Sequence, residues 1–319
     1  MRVMVTGANG LVGSALLRRL QRESELYLVA GLRCQRNCER VHETRILGDL
    51  TKGQLQAGIL GSVDVVVHTA ARVHIMKESR SDVLTEYRRV NVGGTRALLQ
   101  AAVDAGVRRF VYISSVKVNG ESTLPDKPFS EKDVPRPQDP YAQSKWEAEQ
   151  LVQSVCEEKG IEWVIVRPPL LYGVGVGANF KRMIELLSTG LPLPLGGMKN
   201  RRSLLALDNL ADFLASCVKH PLAANECFLV CDDRDFTLTE LCRKLLAGMN
   251  VRTALVPIPG VWLEFILRSF GAGTIAQRIC GELRVDSSKA KQRLGWQPPF
   301  TADEALALTV RKAASINER

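Results

Sequence analysis

The sequence predicts an α/β protein, in which a doubly wound parallel sheet is followed by a smaller, mixed α/β lobe. Three observations lead to this fold class. Short apolar runs recur along the first half of the chain, helical patterns lie between several of them, and a glycine-rich turn follows the first run. Apolar runs that do not alternate with polar residues are typical of strands buried on both faces. Strands that alternate with helices are typical of a doubly wound sheet.

Five apolar runs and three helical patterns make up the predicted first domain. The strands are expected at residues 2–6, 26–32, 63–69, 110–114 and 163–166, and the helices at residues 11–22, 83–105 and 141–159. The third helix has well-marked ends, because Asp139 is a typical N-cap, Pro140 suits the first helical position and Gly160 suits the C-terminal end. Doubly wound sheets bind ligands at the carboxyl ends of their strands, so the residues after each strand are the candidates for function.

Composition and charge narrow the class of protein. The chain has 319 residues, of which 45% are apolar and 24% charged, and no apolar run approaches the roughly 20 residues that a membrane span needs. The first residues already form a predicted strand, so a cytoplasmic protein without a secretory signal is expected. The net charge of +9 is spread over separated arginines, which favours an anionic small substrate over nucleic acid. Neither a membrane partner nor a metal site is predicted, and the eight scattered cysteines are expected to be reduced thiols.

A glycine-rich turn, V-M-V-T-G-A-N-G-L-V-G, spans residues 3–13. The three glycines directly follow the first predicted strand and lead into a helix. Backbone N–H groups and the helix dipole at such a turn bind phosphate, so the sequence predicts a Rossmann-type site for a dinucleotide pyrophosphate. An ordinary tight turn is the alternative. The predicted contacts are Gly7, Asn9, Gly10, Leu11, Val12 and Gly13.

The ends of the next strands add further candidate cofactor contacts. NAD-binding chains commonly carry an acid after the second strand, whereas this chain has Arg33. An arginine there suits a 2′-phosphate, which favours NADP(H) and leaves NAD(H) possible, although an ordinary exposed arginine is the alternative. Later strand ends contribute Asp49 and Leu50, and the small residues Thr69, Ala70 and Ala71.

A serine pair, a tyrosine and a lysine form the candidate catalytic set. Ser114 and Ser115 follow the fourth apolar run, and Tyr141 lies four residues before Lys145 on one helix face. A tyrosine pKa is ordinarily near 10, and a neighbouring ammonium group together with an oxidised nicotinamide would favour the phenolate. The phenol could then exchange a proton with a carbonyl oxygen while hydride moves at the carbon, with Ser115 holding the oxygen. A surface helix that happens to contain Tyr and Lys is the alternative.

Six motifs together resemble a known family. They are T-G-A-N-G-L-V-G, H-T-A-A, N-V-G-G-T, S-S-V-K-V-N-G, Y-A-Q-S-K and R-P-P-L-L-Y-G. Their order and spacing resemble the extended short-chain dehydrogenases/reductases, in the nucleotide-sugar epimerase/dehydratase group, across essentially the whole chain. The resemblance implies that Ser115, Tyr141 and Lys145 are catalytic. It also implies that Asn91 supports the strands and the lysine, and it adds Asn91, Ser114, Tyr141, Lys145 and Pro168 to the cofactor contacts.

The second half of the chain is predicted to bind the substrate. A dinucleotide-binding domain is expected at residues 1–167, with a returning segment near 203–230, and an interleaved substrate lobe at residues 168–319. In the family, a loop-helix and an arginine before D-N-L-A grip a nucleotide diphosphate, and these positions correspond to Asn179 and Arg202. The full set of expected substrate contacts is His74, Lys117, Asn179, Arg202 and Arg278.

Several functions remain open from the sequence. The motifs favour a reductase of the C4 ketone of a UDP-linked 4-keto-6-deoxy-N-acetylhexosamine, in surface-polysaccharide synthesis. A UDP-sugar 4-epimerase with tightly bound NAD uses the same residues. A 4,6-dehydratase fits less well, because Val116 and Lys117 stand where its motif carries Asp and Glu. A non-catalytic NADP-binding regulator and a flavonoid- or steroid-type reductase also remain open. A homodimer through helices 83–105 and 141–159 is expected.

Overall fold

The centre of the protein is a seven-stranded sheet in which every neighbouring pair of strands is parallel. The structure is a computed structural model that describes residues 1–36, 38, 41–53, 55–73 and 83–317, without the side chains of residues 178, 179, 181, 274, 278 and 312–317. The described strands are β1 (Arg2–Thr6), β2 (Tyr27–Leu32), β3 (Glu43–Ile46), β4 (Val65–His68), β5 (Arg109–Ile113), β6 (Glu162–Arg167), β7 (Leu170–Tyr172), β8 (Arg201–Arg202), β9 (Leu204–Ala206), β10 (Glu226–Leu229) and β11 (Phe236–Thr237).

Helices cover the sheet and build the second lobe. The described α-helices are α1 (Leu11–Leu20), α2 (Val83–Tyr87), α3 (Gly94–Asp104), α4 (Pro140–Lys159), α5 (Ala178–Ser188), α6 (Leu207–Lys219), α7 (Leu238–Met249), α8 (Gly260–Ser269), α9 (Gly273–Cys280), α10 (Ser288–Leu294) and α11 (Ala302–Asn317). None of the described helices is long and apolar enough to cross a membrane.

The order of the strands locates the ligand-binding edge. The central sheet runs β10-β6-β5-β4-β1-β2-β3, so the chain moves outward from β1 in one direction and then starts again from β4 in the other. This reversal places the carboxyl ends of β1 and β4 side by side, with Thr6 paired to His68. Doubly wound sheets bind ligands at such a switch point. The predicted fold class is therefore confirmed.

Both faces of the sheet are buried, which explains why its strands are continuous apolar runs. In β1, Val3 and Val5 pack into one core with residues of α1 and α6, while Met4 packs into the opposite core with residues of α3 and α4. All three side chains are fully buried. Side chains alternate between the faces of a strand, so a strand with cores on both sides requires apolar residues at every position.

The predicted long helix 83–105 is wrong in one respect. The segment is divided into α2 and α3 by a π-helical turn at Arg88–Gly93. Asn91 lies in this turn, and its side chain bonds to the backbone of Arg72 rather than lying on a helix surface. A wide turn of this kind is often found at functional sites, because it redirects one side chain without ending the helix.

A separate apolar cluster forms the core of the second lobe. Its largest buried members include Tyr172, Phe180 and Phe236, and the two-stranded pairs β7–β9 and β8–β11 lie in this half of the chain. Between these parts, α6 returns to pack on α1 and β10 adds to the edge of the central sheet beside β6. The chain thus leaves the first core and rejoins it before completing the lobe.

Candidate active site

The glycine turn connects β1 to α1 at the switch point of the sheet. Gly7 has a φ of +64°, and its carbonyl oxygen accepts a hydrogen bond from the Gly10 N–H at 2.8 Å. No side chain caps the N-terminus of α1, so its first N–H groups are left for another acceptor. From the neighbouring strand end, the Thr69 hydroxyl donates to the Thr6 carbonyl oxygen at 2.6 Å and fixes the two loops together.

Close backbone contacts explain why two of these positions must be glycine. A Cβ atom at Gly13 would lie 2.3 Å from the Gly7 carbonyl oxygen, and one at Gly7 would lie 2.9 Å from the backbone of Ala70. Both distances are shorter than real carbon contacts, so a side chain would push the turn apart. A narrow glycine cradle at an uncapped helix N-terminus fits the pyrophosphate of a dinucleotide.

Gly13→Ala is expected to weaken dinucleotide binding at least about tenfold and to destabilise the protein by roughly 1–3 kcal/mol, because the added methyl group overpacks the turn. Titration with NADH and NADPH, together with urea unfolding, measures both effects. Gly273→Ala is the matched control, since no described atom outside its own helix backbone and its chain neighbours lies within 4 Å of the added Cβ there. Unchanged binding by the Gly13 variant would mean that the turn does not hold the cofactor.

The ends of β2 and β3 place opposite charges near each other. Arg33 is exposed directly after β2, and Asp49 is exposed after β3. The Asp49 carboxylate accepts a hydrogen bond from the Thr51 N–H, and this bond, with smaller contributions from Arg89 and Arg33, lowers the pKa of Asp49. Leu50 lies half-buried against Gly94. A ribose that reached this edge would therefore meet both an arginine and a carboxylate.

The three predicted catalytic side chains come together at the carboxyl end of β5. Ser115 lies just past the strand, and its hydroxyl is hydrogen-bonded to the phenol of Tyr141 in the first turn of α4. Lys145 is buried one turn later and donates from Nζ to the Ile113 carbonyl oxygen at 2.7 Å and to the Tyr112 hydroxyl at 3.2 Å. The predicted ends of α4 are confirmed, since Asp139 caps it and Gly160 has a φ of +68°.

Burial governs the charge state of this set. Burial raises the pKa of Tyr141 above its ordinary value, Asp139 and Tyr87 raise it further, and only the Ser115 hydrogen bond opposes them. Burial also lowers the pKa of Lys145 to about 7, against the attraction of Glu149. The phenol is thus neutral in the protein alone. The side chains alone do not stabilise the phenolate. The remaining stabilisation is expected from the positive charge of an oxidised nicotinamide.

A buried hydroxyl group lies beside the catalytic set. Ser114 is 3% exposed, and among the residues that the structure describes its Oγ atom has no hydrogen-bond partner. An unsatisfied buried polar group costs about 1–3 kcal/mol, so this atom is best explained by a ligand that the protein is built to hold. The adjacent turn is fixed to the end of β6, because the Pro168 carbonyl oxygen accepts from the Val116 N–H at 3.0 Å. These features fit the nicotinamide end of a dinucleotide.

Asn91 and His68 have supporting positions. The Asn91 amide group donates to the Ser144 hydroxyl at 2.9 Å and to the Arg72 carbonyl oxygen at 3.2 Å, so it holds α4 against the loop after β4. It does not bond to Lys145 directly, and a cofactor contact for it stays a prediction. His68 is buried between the hydroxyls of Thr6 and Thr95. Burial lowers the pKa of His68 to about 3, with Lys145 contributing.

His68 is expected to make the protein less stable in mild acid. Below pH 6.5 the unfolded chain binds a proton that the folded protein does not accept until about pH 3, so the free energy of unfolding falls as the pH falls through this window. The loss from His68 between pH 6.5 and pH 5 is about 1.6 kcal/mol. Urea unfolding of the wild type and of His68→Gln over this range measures it. Equal pH slopes for the two proteins would contradict the argument.

Two ion-pair networks that the sequence did not reveal surround the catalytic set. One Asp139 carboxylate oxygen caps α4 through the Ala142 N–H, and the other accepts from Lys117 Nζ at 2.6 Å. Lys117 also donates to Glu121 at 2.8 Å. On the other side, Arg167 forms a buried ion pair with Glu149 at 2.6 Å and donates to Asn119 at 3.1 Å. The i, i+4 spacing of Lys117 and Glu121 was the only local signal for these contacts.

Arg202 is half-buried and is held by backbone carbonyl oxygens. Its Nη2 atom donates to the carbonyl oxygens of Gln277 at 3.3 Å and Gly281 at 2.9 Å, while its buried Nε atom has no hydrogen-bond partner within the described part of the chain. Among the described residues, no carboxylate lies within 4 Å of its guanidinium group. Burial lowers the pKa of Arg202, with Glu121 opposing. The arrangement is suited to an incoming anion.

The remaining expected substrate contacts lie outside the described structure. His74 is not among the described residues, and only the backbones of Asn179 in α5 and Arg278 in α9 are described. In the described part of the chain, no three His, Cys, Asp or Glu side chains are grouped so that they could hold a metal ion.

Comparison with known proteins identifies the family of the chain. Residues 3–231 match the profile of the NAD dependent epimerase/dehydratase family. A UDP-glucose 4-epimerase from Vibrio cholerae is 38% identical, over 99% of this chain and 97% of that protein. The N-acetyl-alpha-D-glucosaminyl-diphospho-ditrans,octacis-undecaprenol 4-epimerase of Escherichia coli O157:H7 is 25% identical, over 97% of this chain and 94% of that protein.

The fold is also found among solved structures. The crystal structure of a UDP-glucose 4-epimerase with UDP-glucose from Thermotoga maritima superimposes with a TM-score of 0.76 at 20% identity, covering 99% of this chain and 100% of that one. At this identity the likeness concerns the fold alone. The family profile, however, spans most of the chain, and the Vibrio cholerae relative spans nearly all of it. The chain therefore belongs to the NAD-dependent epimerase/dehydratase family, as its motifs predicted.

Proposed function

We propose that the protein is a UDP-sugar 4-epimerase, which inverts the hydroxyl group at C4 of a sugar carried on a diphosphate. The observation that carries this proposal is the 38% identity to the UDP-glucose 4-epimerase of Vibrio cholerae over 99% of this chain. The site supports it, because a phenol, a serine hydroxyl and a buried lysine converge at the edge of the sheet where the glycine turn opens.

The proposed roles follow from the geometry. Tyr141 exchanges a proton with the C4 oxygen, and its neutral phenol is ready to donate. Ser115, which is hydrogen-bonded to that phenol, holds the same oxygen. Lys145 lies buried between Ile113 and Tyr112, where its ammonium group can favour the phenolate. A bound nicotinamide supplies the acceptor and donor of hydride. Inversion then requires only that the sugar presents its other face to the same residues.

Substrate binding is assigned to the second lobe. Arg202 is proposed to bind the diphosphate, because its guanidinium group is held by two carbonyl oxygens and its buried Nε atom has no hydrogen-bond partner among the described residues. Asn179 and Arg278 are proposed to assist it. Lys117 is held beside Tyr141 by Asp139 and Glu121, so it is proposed to contact the sugar without acting as a base. The name of the Escherichia coli relative describes a sugar carried on a polyprenyl diphosphate. The diphosphate is therefore the group that this carrier and UDP share.

A second candidate is the 4-ketoreductase that the sequence motifs favour. It would consume NADPH while reducing a UDP-linked 4-keto-6-deoxy-N-acetylhexosamine. The specific observation in its favour is Arg33, which stands exposed after β2 where an acid is common in NAD-binding chains. The comparisons support the epimerase better, because the relative with 38% identity has that activity in its name.

The cofactor of the purified protein separates the two reactions. The protein is denatured and any released dinucleotide identified, and then UDP-glucose, UDP-N-acetylglucosamine and a UDP-4-keto-6-deoxysugar are each supplied with and without NADPH. The epimerase releases NAD and interconverts UDP-sugars without added cofactor. Oxidation of NADPH only with the ketosugar would overturn the epimerase in favour of the reductase. Binding of dinucleotide without turnover of any of these sugars would contradict both.

A further inference from the structure

Helix α8 exposes a broad apolar face. Val261, Trp262, Phe265 and Phe270, the residue just after the helix, are 79%, 65%, 67% and 85% exposed. The opposite side of the helix packs on the protein, because Leu263 is buried in the core of the second lobe and Leu267, one turn later, packs against the same core. The helix is thus firmly attached by one side and presents its largest apolar residues on the other.

The exposed residues are of the types found at membrane surfaces. Of the four tryptophans, Trp163 and Trp296 are buried and Trp146 is half-buried, which leaves Trp262 as the exposed one. Another exposed apolar residue, Leu191, is 63% exposed and precedes a segment whose Leu193 and Gly197 form isolated β-bridges with Leu255 and Pro259, just before α8. Trp and Phe are favoured at the boundary between water and lipid, because their rings are large and apolar.

Positive charge is concentrated in the same part of the molecule. The segments 178–202 and 251–284 carry nine Lys and Arg residues and three Asp and Glu residues, a net charge of +6 out of +9 for the whole chain. Lys199, Arg201 and Arg252 are exposed there, and Arg268, which is also exposed, is paired with Glu264 at 2.8 Å. A cationic surface around an apolar helix face is complementary to a bilayer of anionic lipids, which attracts each nearby Lys or Arg.

We propose that the α8 face docks the protein peripherally on the surface of an anionic phospholipid bilayer. The sequence predicts no membrane partner because it contains no span, but an interfacial helix lies on the bilayer and needs none. Helix α9 packs on α8 and also supplies the carbonyl oxygens that hold Arg202. If the proposed function is right, docking through α8 brings the diphosphate site to the membrane surface. The docking itself does not depend on that function.

Vesicle binding by the full-length protein tests this surface. The protein is sedimented with vesicles of phosphatidylcholine alone and with an equimolar mixture of phosphatidylcholine and phosphatidylglycerol. The wild type is expected to bind the anionic vesicles, and added salt is expected to weaken the binding. The combined variant Trp262→Ser, Phe265→Ser and Phe270→Ser is expected to bind at least about tenfold more weakly. The matched control replaces Leu124 and Val134, which are also exposed and apolar, with serine.

Tryptophan fluorescence gives a second readout that does not depend on a destabilising variant. Brominated acyl chains quench a tryptophan that enters the bilayer, so wild-type fluorescence is expected to fall on binding. Trp262→Phe is expected to keep vesicle binding and to lose most of this quenching, because Trp163 and Trp296 are buried and Trp146 is half-buried. Quenching that persists in this variant would show that another surface enters the lipid.

Three results would overturn the proposal. One is a wild type that stays in the supernatant with both kinds of vesicle. Another is equal loss of binding in the serine variant and its control. The third is a wild type that does not bind vesicles but forms a dimer by light scattering, where only the α8 variant disrupts the dimer. In that case a second copy of the chain covers the α8 face. Epimerisation of water-soluble UDP-sugars is expected to survive in the α8 variant. Vesicle binding without any turnover would support docking and contradict the proposed function separately.

Discussion

Tyr141→Phe is expected to lower the turnover of the UDP-sugar by a factor of about 10²–10⁴, the usual contribution of a positioned proton donor. The substitution removes only the hydroxyl that meets Ser115, and the ring can still pack against Tyr87 at a centroid distance of 5.9 Å. KM for the sugar and binding of the dinucleotide are therefore expected to change little. Steady-state kinetics and a dinucleotide titration measure the two effects.

Tyr87→Phe is the matched control for this prediction. Tyr87 is buried, and its ring packs edge-on against Tyr141, so the change removes the same group from the same cluster. Its turnover is expected to stay within about tenfold of the wild type, because nothing assigns its hydroxyl to the reacting oxygen. Full activity in Tyr141→Phe would leave the phenol without a catalytic role and would contradict the proposed mechanism.

The part of the site that follows from local sequence was predictable. The glycine turn, the serine pair and the Tyr-x-x-x-Lys spacing lie at the ends of strands or on one turn of helix, where short-range geometry fixes the relation between neighbours. The strands of the first domain were predictable for a similar reason. Val3, Met4 and Val5 must all be apolar because two cores lie on opposite sides of β1.

The contacts that depend on the path of the chain were not predictable. Asp139 was expected only as a helix cap, yet its second oxygen meets Lys117, which is 22 residues away. Arg167 meets Glu149 and Asn119 inside the protein, and no spacing rule connects residues on a strand, a helix and a turn. The break between α2 and α3 has the same cause, since Asn91 bonds to a loop that precedes it by 19 residues. Long-range partners of this kind become visible only in the folded chain.

A diphosphate site would explain why Arg202 is half-buried with no carboxylate within 4 Å among the described residues, so this arginine carries the largest expected effect on substrate binding. Arg202→Ala is expected to raise the Kd for UDP by about tenfold to more than a hundredfold, because charge-assisted hydrogen bonds contribute roughly 1.5–3 kcal/mol. Arg202→Lys keeps the charge but cannot form two parallel bonds, so an intermediate loss is expected. Calorimetric titration with UDP measures the series.

The neighbouring arginine provides the control, because it differs from Arg202 chiefly in its surroundings. Arg201 is exposed and lies next to Arg202 on β8, so Arg201→Ala changes the net charge equally without touching the unpartnered Nε. Its UDP affinity is expected to fall only slightly. Arg202→Ala also removes the donor to the carbonyl oxygens of Gln277 and Gly281, which can lower the stability of the protein. Binding of NAD(H) at the glycine turn is expected to persist, and its measurement separates a loss of stability from a loss of UDP affinity. Equal losses in the two variants would mean that general charge, and not a diphosphate contact by Arg202, attracts the substrate.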